Sequence, residues 1–264
     1  MRLKHLFAAS TLLCTLLTGC GGGNSSNSNP SAFSIQAGNW NVNASSTFAP
    51  GNNFIVGGNL TQSGSSISGV MHINNSPCFI LASDVPVSGS ISGQTVTLSS
   101  AASVGPVVTV SANATSATAM TGTYTVAGTC ADGDKGTISA NLVPSITGSW
   151  HGTFTSQVTP GTTINATANL TQSPTPNADG FFPVTGTVTF TGSPCFTSGT
   201  IVQSIAAGSV IGLEITTNDQ PTPGEVVFAA IIDSPATGTA ATGSYEIAAG
   251  SCVNDTGNGH ITKP

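Results

Sequence analysis

Alternation with a period of two runs along most of this chain. Val184, Gly186, Val188 and Phe190 interleave with Thr185, Thr187, Thr189 and Thr191, and Ile67, Gly69, Met71 and Ile73 interleave with Ser68, Val70 and His72. Strands that bury one face and wet the other read this way, because successive side chains leave the pleat on opposite sides. On this pattern His72 points outward. Tyr124 with Val126, and Tyr245 with Ile247, fit the same scheme. Abundant Thr, Val and Ile with frequent glycine turns favours strands throughout, and no helix is expected after the apolar N-terminal run.

The pattern is written twice. Gly38-Asn39-Trp40 recurs as Gly148-Ser149-Trp150, and Asn59-Leu60-Thr61-Gln62-Ser63 as Asn169-Leu170-Thr171-Gln172-Ser173, both at an offset of 110. Ser76-Pro77-Cys78-Phe79 returns as Ser193-Pro194-Cys195-Phe196 at 117, Gly122-Thr123-Tyr124 as Gly243-Ser244-Tyr245, and Cys130 matches Cys252. Landmarks repeated in one order predict a duplicated domain, residues 37–144 and 145–264, each of ordinary size for a single core. The offset grows where the second copy inserts Pro174 to Gly180 in place of the tight Gly64-Ser65-Ser66 turn. Insertions of this kind belong at hairpin tips.

Alternating runs between turn signals number about eight per copy. The predicted fold is all-β: two tandem antiparallel up-and-down β-barrels of about eight strands each, with β-sandwiches as the alternative. Closure removes sheet edges, which matters in a chain so poor in edge-protecting lysine. In an immunoglobulin-like sandwich the core tryptophan follows the first cysteine of the bridge, whereas Trp40 precedes Cys78.

Six cysteines are present. Cys14 falls in the apolar leader and Cys20 at its end, so four remain, two per copy. An even count in an exported protein implies disulfides, and the repeat selects Cys78 with Cys130 and Cys195 with Cys252. Each bridge closes a loop of just over 50 residues, stabilising by roughly 4 kcal/mol in the chain-entropy treatment. An up-and-down meander puts the loops after the third and seventh strands at one end. Bridged Cα atoms lie within about 7 Å, so these loops must fold across that mouth. The expectation is a lidded cysteine end, with any ligand entering from the opposite end, where the Pro174 insertion sits.

Composition narrows the function. Only 5% of the 264 residues are charged, and four Lys and Arg against ten Asp and Glu leave a net charge of -6. An electrostatic grip on phosphates is not available, so nucleic-acid binding is excluded. Beyond the leader only Lys135 and Lys263 remain as strong cations, and no arginine is left for bidentate carboxylate or phosphate recognition.

Arg2 and Lys4 precede an apolar run from Leu6 to Leu17 that ends in Leu17-Thr18-Gly19-Cys20. A run of about 12 residues is too short for a membrane helix, which needs roughly 20, and it reads as a signal peptide over residues 1–19. Its end resembles the lipobox of bacterial lipoproteins. That resemblance implies cleavage before Cys20, a diacylglycerol thioether on its sulfur and an acyl chain such as palmitate on its amine. Two or three chains hold a protein stably on a membrane at about 0.8 kcal/mol per buried methylene. Gly21 is not the aspartate that retains many Gram-negative lipoproteins in the inner membrane, so the resemblance implies the outer membrane. Residues 20–36 begin with a Gly, Ser and Asn tract that forms a flexible tether.

A Gly-x-Trp at the first strand followed by a meander resembles the calycin group, the lipocalins and avidin-like barrels. Gly38-Asn39-Trp40, Gly148-Ser149-Trp150 and Thr185-Gly186-Thr187 are the residues concerned. The resemblance implies a barrel in each copy, with Trp40, Tyr124, Trp150 and Tyr245 as core or lining of a ligand cavity. The late arginine that packs on the lipocalin tryptophan has no counterpart here.

Catalytic chemistry finds little to use. His72, His151 and His260 match no histidine in the other copy, and neither a Gly-x-Ser-x-Gly elbow nor a His-Glu-x-x-His helix occurs. The expectation is a protein without catalytic residues, metal or cofactor. Asp132-Gly133-Asp134-Lys135-Gly136 and Asn254-Asp255-Thr256-Gly257-Asn258 occupy matching turns. Alternating carboxylates can ring calcium, but the same residues suit a hairpin turn. Val226 to Ile232 is apolar on both faces; the expected cover is the other copy, and an external partner surface is the alternative. Taken together the sequence predicts a lipid-anchored envelope lipoprotein acting as a non-enzymatic binding or interaction module. A lipocalin-like carrier of a small apolar ligand is the alternative, and an interior of about 300 Å³ separates the two.

Overall fold

The structure is a computed structural model that describes residues 33–47, 53–74, 84–128, 132–159, 161–218 and 223–264. The segment read as a signal peptide, Cys20, most of the segment read as a tether, and Cys78 with Cys130 lie outside the described residues. Ala32–Pro264 forms one compact unit.

Among the described residues sixteen strands follow one another. In the first copy they are β1 Gly38–Ser46, β2 Phe54–Ser63, β3 Ser66–Asn74, β4 Val85–Ser92, β5 Thr95–Ser100, β6 Val107–Ser116, β7 Ala119–Ala127 and β8 Lys135–Leu142. The second copy contributes β9 Gly148–Ser156, β10 Thr163–Gln172, β11 Val184–Thr191, β12 Ser198–Ala207, β13 Val210–Thr217, β14 Glu225–Ile232, β15 Ala240–Ala249 and β16 Thr256–Thr262. Within each copy every neighbour in sequence is an antiparallel neighbour in space. β1 pairs with β8, and β9 with β16, so each copy closes into an eight-stranded barrel. The up-and-down barrel is therefore the fold, and the sandwich alternative is not. Helix is confined among the described residues to one 3-10 turn at Ala102–Val104.

Each interior is filled by the apolar half of the alternation. Trp40, Leu60, Ile67, Met71, Met120 and Tyr124 meet in the first core, and Trp150, Leu170, Val184, Val188, Phe228 and Tyr245 in the second. The copies use different side chains at matching places. Ala44 faces Phe54 across β1 and β2 and Ile138 across β1 and β8, whereas the matching positions in the second copy are Phe154, Ile164 and Gly259. Val42 opposite Ala140 becomes Gly152 opposite Ile261. Bulk moves from strand to strand within a layer while the layer stays full. Close packing imposes this, since a methylene gained at one site must be lost beside it.

The barrels dock end to wall. The β12–β13 turn and the inserted β10–β11 loop lie at one end of the second barrel, and both rest on the outer face of β1 to β3. Gly208, with φ +57, opens the two-residue β12–β13 turn as the first central residue of a type II′ hairpin requires. Gly57 lies against Ala207 and Gly208 so closely that a side chain there would strike the Ala207 carbonyl. His72 does point out of its own barrel, but it is buried rather than wet. Its ring stacks on Phe181 at 3.8 Å, its Nε2 donates to the Asp179 carbonyl at 2.7 Å, and Nδ1 lies 3.4 Å from an Asp84 oxygen. The insertion that looked like a free loop tip is what covers it.

Candidate functional site

Three places could hold function: the barrel interiors, the polar groups at the cysteine end, and the outer walls. The interiors are nearly full. The second barrel keeps a cavity of about 60 Å³ and the first one of about 70 Å³, both with apolar walls. An apolar cavity of about 150 Å³ is the scale that admits benzene, so these voids are too small for a small-molecule cargo. Trp40 and Trp150 belong to the packing that closes them. Each indole N–H donates to the carbonyl four residues earlier, Gln36 at 3.0 Å and Ile146 at 2.7 Å, which fixes the lead-in segment under the barrel.

The end expected to be open is plugged in both copies. Ile35 N–H donates to the Gln62 side chain on β2 at 2.8 Å, and Gln36 N–H to the Ala117 carbonyl in the β6–β7 turn at 2.7 Å, so the lead-in crosses the mouth. Ile146 N–H donates in the same way to Gln172 at 2.8 Å. In the second barrel Phe182, from the inserted loop, is also buried in the core. Entry at this end, expected because the cysteine loops occupy the other, is thus closed by a segment that the strand pattern did not register.

At the other end of the second barrel Cys195 and Cys252 form a disulfide with Cα atoms 5.8 Å apart, joining the β11–β12 and β15–β16 loops as the repeat predicts. Phe196, next to the bridge, packs edge-on to Phe190 with ring centres 4.7 Å apart and caps the core.

Tyr124 and Tyr245 reach from the core to this same end, where each enters a repeated polar group. Tyr124 OH donates to Asp134 Oδ2 at 3.1 Å and Ser46 Oγ to Asp134 Oδ1 at 2.6 Å. Tyr245 OH and Ser156 Oγ treat Asp255 identically, at 3.0 and 2.7 Å. Burial foremost, and the adjacent Asp134 carboxylate, push the Tyr124 hydroxyl up to about 12. Burial, with the Asp255 hydrogen bond, takes Tyr245 to about 12 as well. Both oxygens of each carboxylate are occupied, so these aspartates tie the closing strand to the first rather than present themselves to an ion. Gly133 and Asn254 hold matching left-handed positions, φ +80 and +73, in the turns that precede them. The hairpin reading of these residues therefore accounts for their composition. Ser46 and Ser156 were missed in the sequence, although they repeat at the same offset of 110 as the tryptophans.

The other two described histidines are exposed and differ in their partners. His260 Nε2 lies 2.9 Å from Asp233 Oδ2, and His151 contacts only Ser149 and Thr167 hydroxyls. Among the described residues no three metal-ligating side chains converge.

The outer wall of β12 to β14 departs from expectation. Val226, Phe228, Ala230 and Ile232 face the core, but Val227 and Ile231 face solvent instead of the other barrel. The docking end of the second barrel is its turn end, which leaves this wall uncovered.

No protein-family model matches the chain, and no curated protein matches it. Among solved structures, a protein of unknown function from the DUF3598 family of Nostoc punctiforme is 10% identical, covering 86% of this chain and 96% of its own, with a TM-score of 0.23. The Myxococcus xanthus hemagglutinin in complex with a3,a6-mannopentaose is 14% identical, covering 85% and 99%, with a TM-score of 0.21. Superpositions this loose transfer neither a ligand nor a site.

Proposed function

We propose that this chain is a lipid-anchored envelope lipoprotein whose two barrels form a non-enzymatic interaction module that works through its outer walls. The observation that supports this reading is the state of the two interiors. They share few side chains, yet each is filled to leave a void of only about 60 to 70 Å³. Identities that drift while volume is held constant describe a packed core, whereas a cargo site would keep a specific lining and a space of about 300 Å³ or more. Asp134 and Asp255 are committed to strand closure. His151 lies beside the Ser149 and Thr167 hydroxyls, but among the described residues no carboxylate is within reach to orient it, which supports a role without chemistry.

The anchor follows from Cys20 and its lipobox-like approach. It would hang the barrels from the outer membrane by a short uncharged tether, with no spanning segment required. Titrating an apolar naphthylamine dye into the full chain tests the first half: the expected result is no saturable fluorescence gain, and saturable uptake returns the carrier reading. Metabolic labelling with an alkynyl fatty acid tests the second. The expected result is label in the outer-membrane fraction that Cys20→Ala abolishes; label retained by that variant removes the anchor.

A further inference from the structure

The duplication supplies an internal control for the uncovered wall of the second barrel. Reading outward positions across β12, β13 and β14 in register gives Ala207, Val210 and Ile231 in one row, Ile205, Gly212 and Ala229 in the next, then Gln203, Glu214 and Val227. The matching rows of the first barrel, across β4, β5 and β6, are Ser92, Thr95 and Asn113, then Ser90, Thr97 and Ser111, then Ser88, Ser99 and Thr109. One fold therefore tolerates a fully polar wall here, and the second copy carries a largely apolar one edged by Gln203 and Glu214. Ala207 is explained by docking on Gly57. Val202, Ile205, Val227 and Ile231 are not, for they stay 40 to 58% exposed.

Charge says what kind of surface belongs on this wall. The chain has three glutamates in all, Glu214, Glu225 and Glu246. Glu214 and Glu246 are the direct cross-strand neighbours of Val227 on its two sides, and Glu225 stands at the start of the same strand. β12 to β15 contain no lysine or arginine. A second copy docking here through the same face would set these carboxylates against their own counterparts, and an anionic lipid surface would be repelled.

We propose that the outer wall of β12 to β14 is a docking face for a polypeptide segment in which apolar side chains alternate with lysine or arginine. The apolar residues cover Val227, Ile231 and Ile205, and the cations meet Glu214, Glu225 and Glu246. Exposed apolar area supplies the contact and the acidic rim sets orientation and excludes wrong partners. This inference rests on the module reading above and names its surface.

The test uses the full chain and a fluorescent peptide alternating lysine with valine and isoleucine, beside its glutamate-for-lysine counterpart, followed by anisotropy. The lysine peptide binds saturably and the glutamate peptide does not. Val227→Thr with Ile231→Asn, the residues the first barrel carries at those places, weakens binding by roughly tenfold or more. Glu214→Ser with Glu246→Thr weakens it and flattens its salt dependence. Equal binding of both peptides, or variants that bind like the original, overturns the proposal. So does a dimer in sedimentation that the Val227 and Ile231 changes abolish, which assigns the wall to self-association. A chain that ignores both peptides overturns the docking face and leaves the module reading standing, since that reading is decided by the dye titration.

Discussion

Asn39 of the first barrel and Gly208 of the second exchange two hydrogen bonds. Gly208 N–H donates to Asn39 Oδ1 at 2.6 Å, and Asn39 Nδ2 donates to the Gly208 carbonyl at 3.1 Å. The asparagine amide thus stands in for a strand backbone, and Asn41 extends the contact by accepting from Ser209 N–H at 3.0 Å. All of these groups are buried. Asn39→Ala therefore strands a buried N–H and a buried carbonyl, at a cost of about 1 to 3 kcal/mol. Urea unfolding should show that loss. Ser149→Ala, at the matching half-exposed place on the second barrel, should change stability by less than about 0.5 kcal/mol.

Gly57 makes that contact sterically available. Its counterpart at the same offset in the second copy is Thr167, on a wall where no described residue of the first barrel docks. A Cβ at 57 meets the Ala207 carbonyl and the Gly208 nitrogen, which are backbone and cannot rotate aside. Gly57→Thr should separate the barrels while each stays closed. Small-angle scattering should report a larger radius of gyration, and the separation should cost about 1 to 3 kcal/mol of stability, the range for overpacking. An unchanged scattering curve would show that the docking does not depend on this approach.

Strand number, closure and the Cys195–Cys252 bridge were legible because each rests on a local rule, the period of two, applied to a sequence that repeats itself. The docking was not legible. Asn39, Asn41 and His72 sit on the wet half of the alternation, and a period-two pattern distinguishes inside from outside of a sheet but not open solvent from a second domain. For the same reason Val227 and Ile231, apolar on the outer half, were expected under the other barrel and are instead exposed. The plugged barrel ends were hidden because Ile35 and Ile146 lie in short lead-in segments with no periodicity to read. Tyr124 and Tyr245 were found through the repeat, but their partners Ser46 and Ser156 are indistinguishable by type from the many solvent-facing serines.

The tyrosines make stability sensitive to alkali. Each hydroxyl sits near 10 when the chain is unfolded and about 12 when it is folded, so between those values the unfolded state releases protons that the native state keeps. Stability is therefore fully present below pH 10 and falls as pH rises toward 12, by at most about 1.4 kcal/mol per pH unit for each tyrosine. Tyr124→Phe with Tyr245→Phe should remove that slope. The same variant should be less stable at neutral pH, because Asp134 and Asp255 each lose a hydroxyl partner, worth about 1 to 3 kcal/mol at the buried Asp134 and less at the half-buried Asp255. Denaturant midpoints measured from pH 8 to 11.5 test both signs at once.

Exchange of bulk between neighbouring strands can be tested by rewriting one layer of the second barrel as the first. Gly152 faces Ile261, whose Cγ2 occupies the space a side chain at 152 would need, while the first barrel places Val42 opposite Ala140. Gly152→Val alone forces its side chain against Ile261 and, to a lesser degree, the His260 carbonyl, and should cost about 1 to 3 kcal/mol. Ile261→Ala alone enlarges the void beneath Trp150 and Phe154 and should cost about 2 to 4 kcal/mol. The double variant reproduces the first barrel's pair and should recover the part of the loss that the Ile261 contact causes, giving a coupling energy of about 1 kcal/mol or more in a double-mutant cycle. Additive losses would mean that the layer is not filled as a unit. These interiors would then no longer qualify as packed cores that exclude cargo, because a packed core conserves its volume when its residues change.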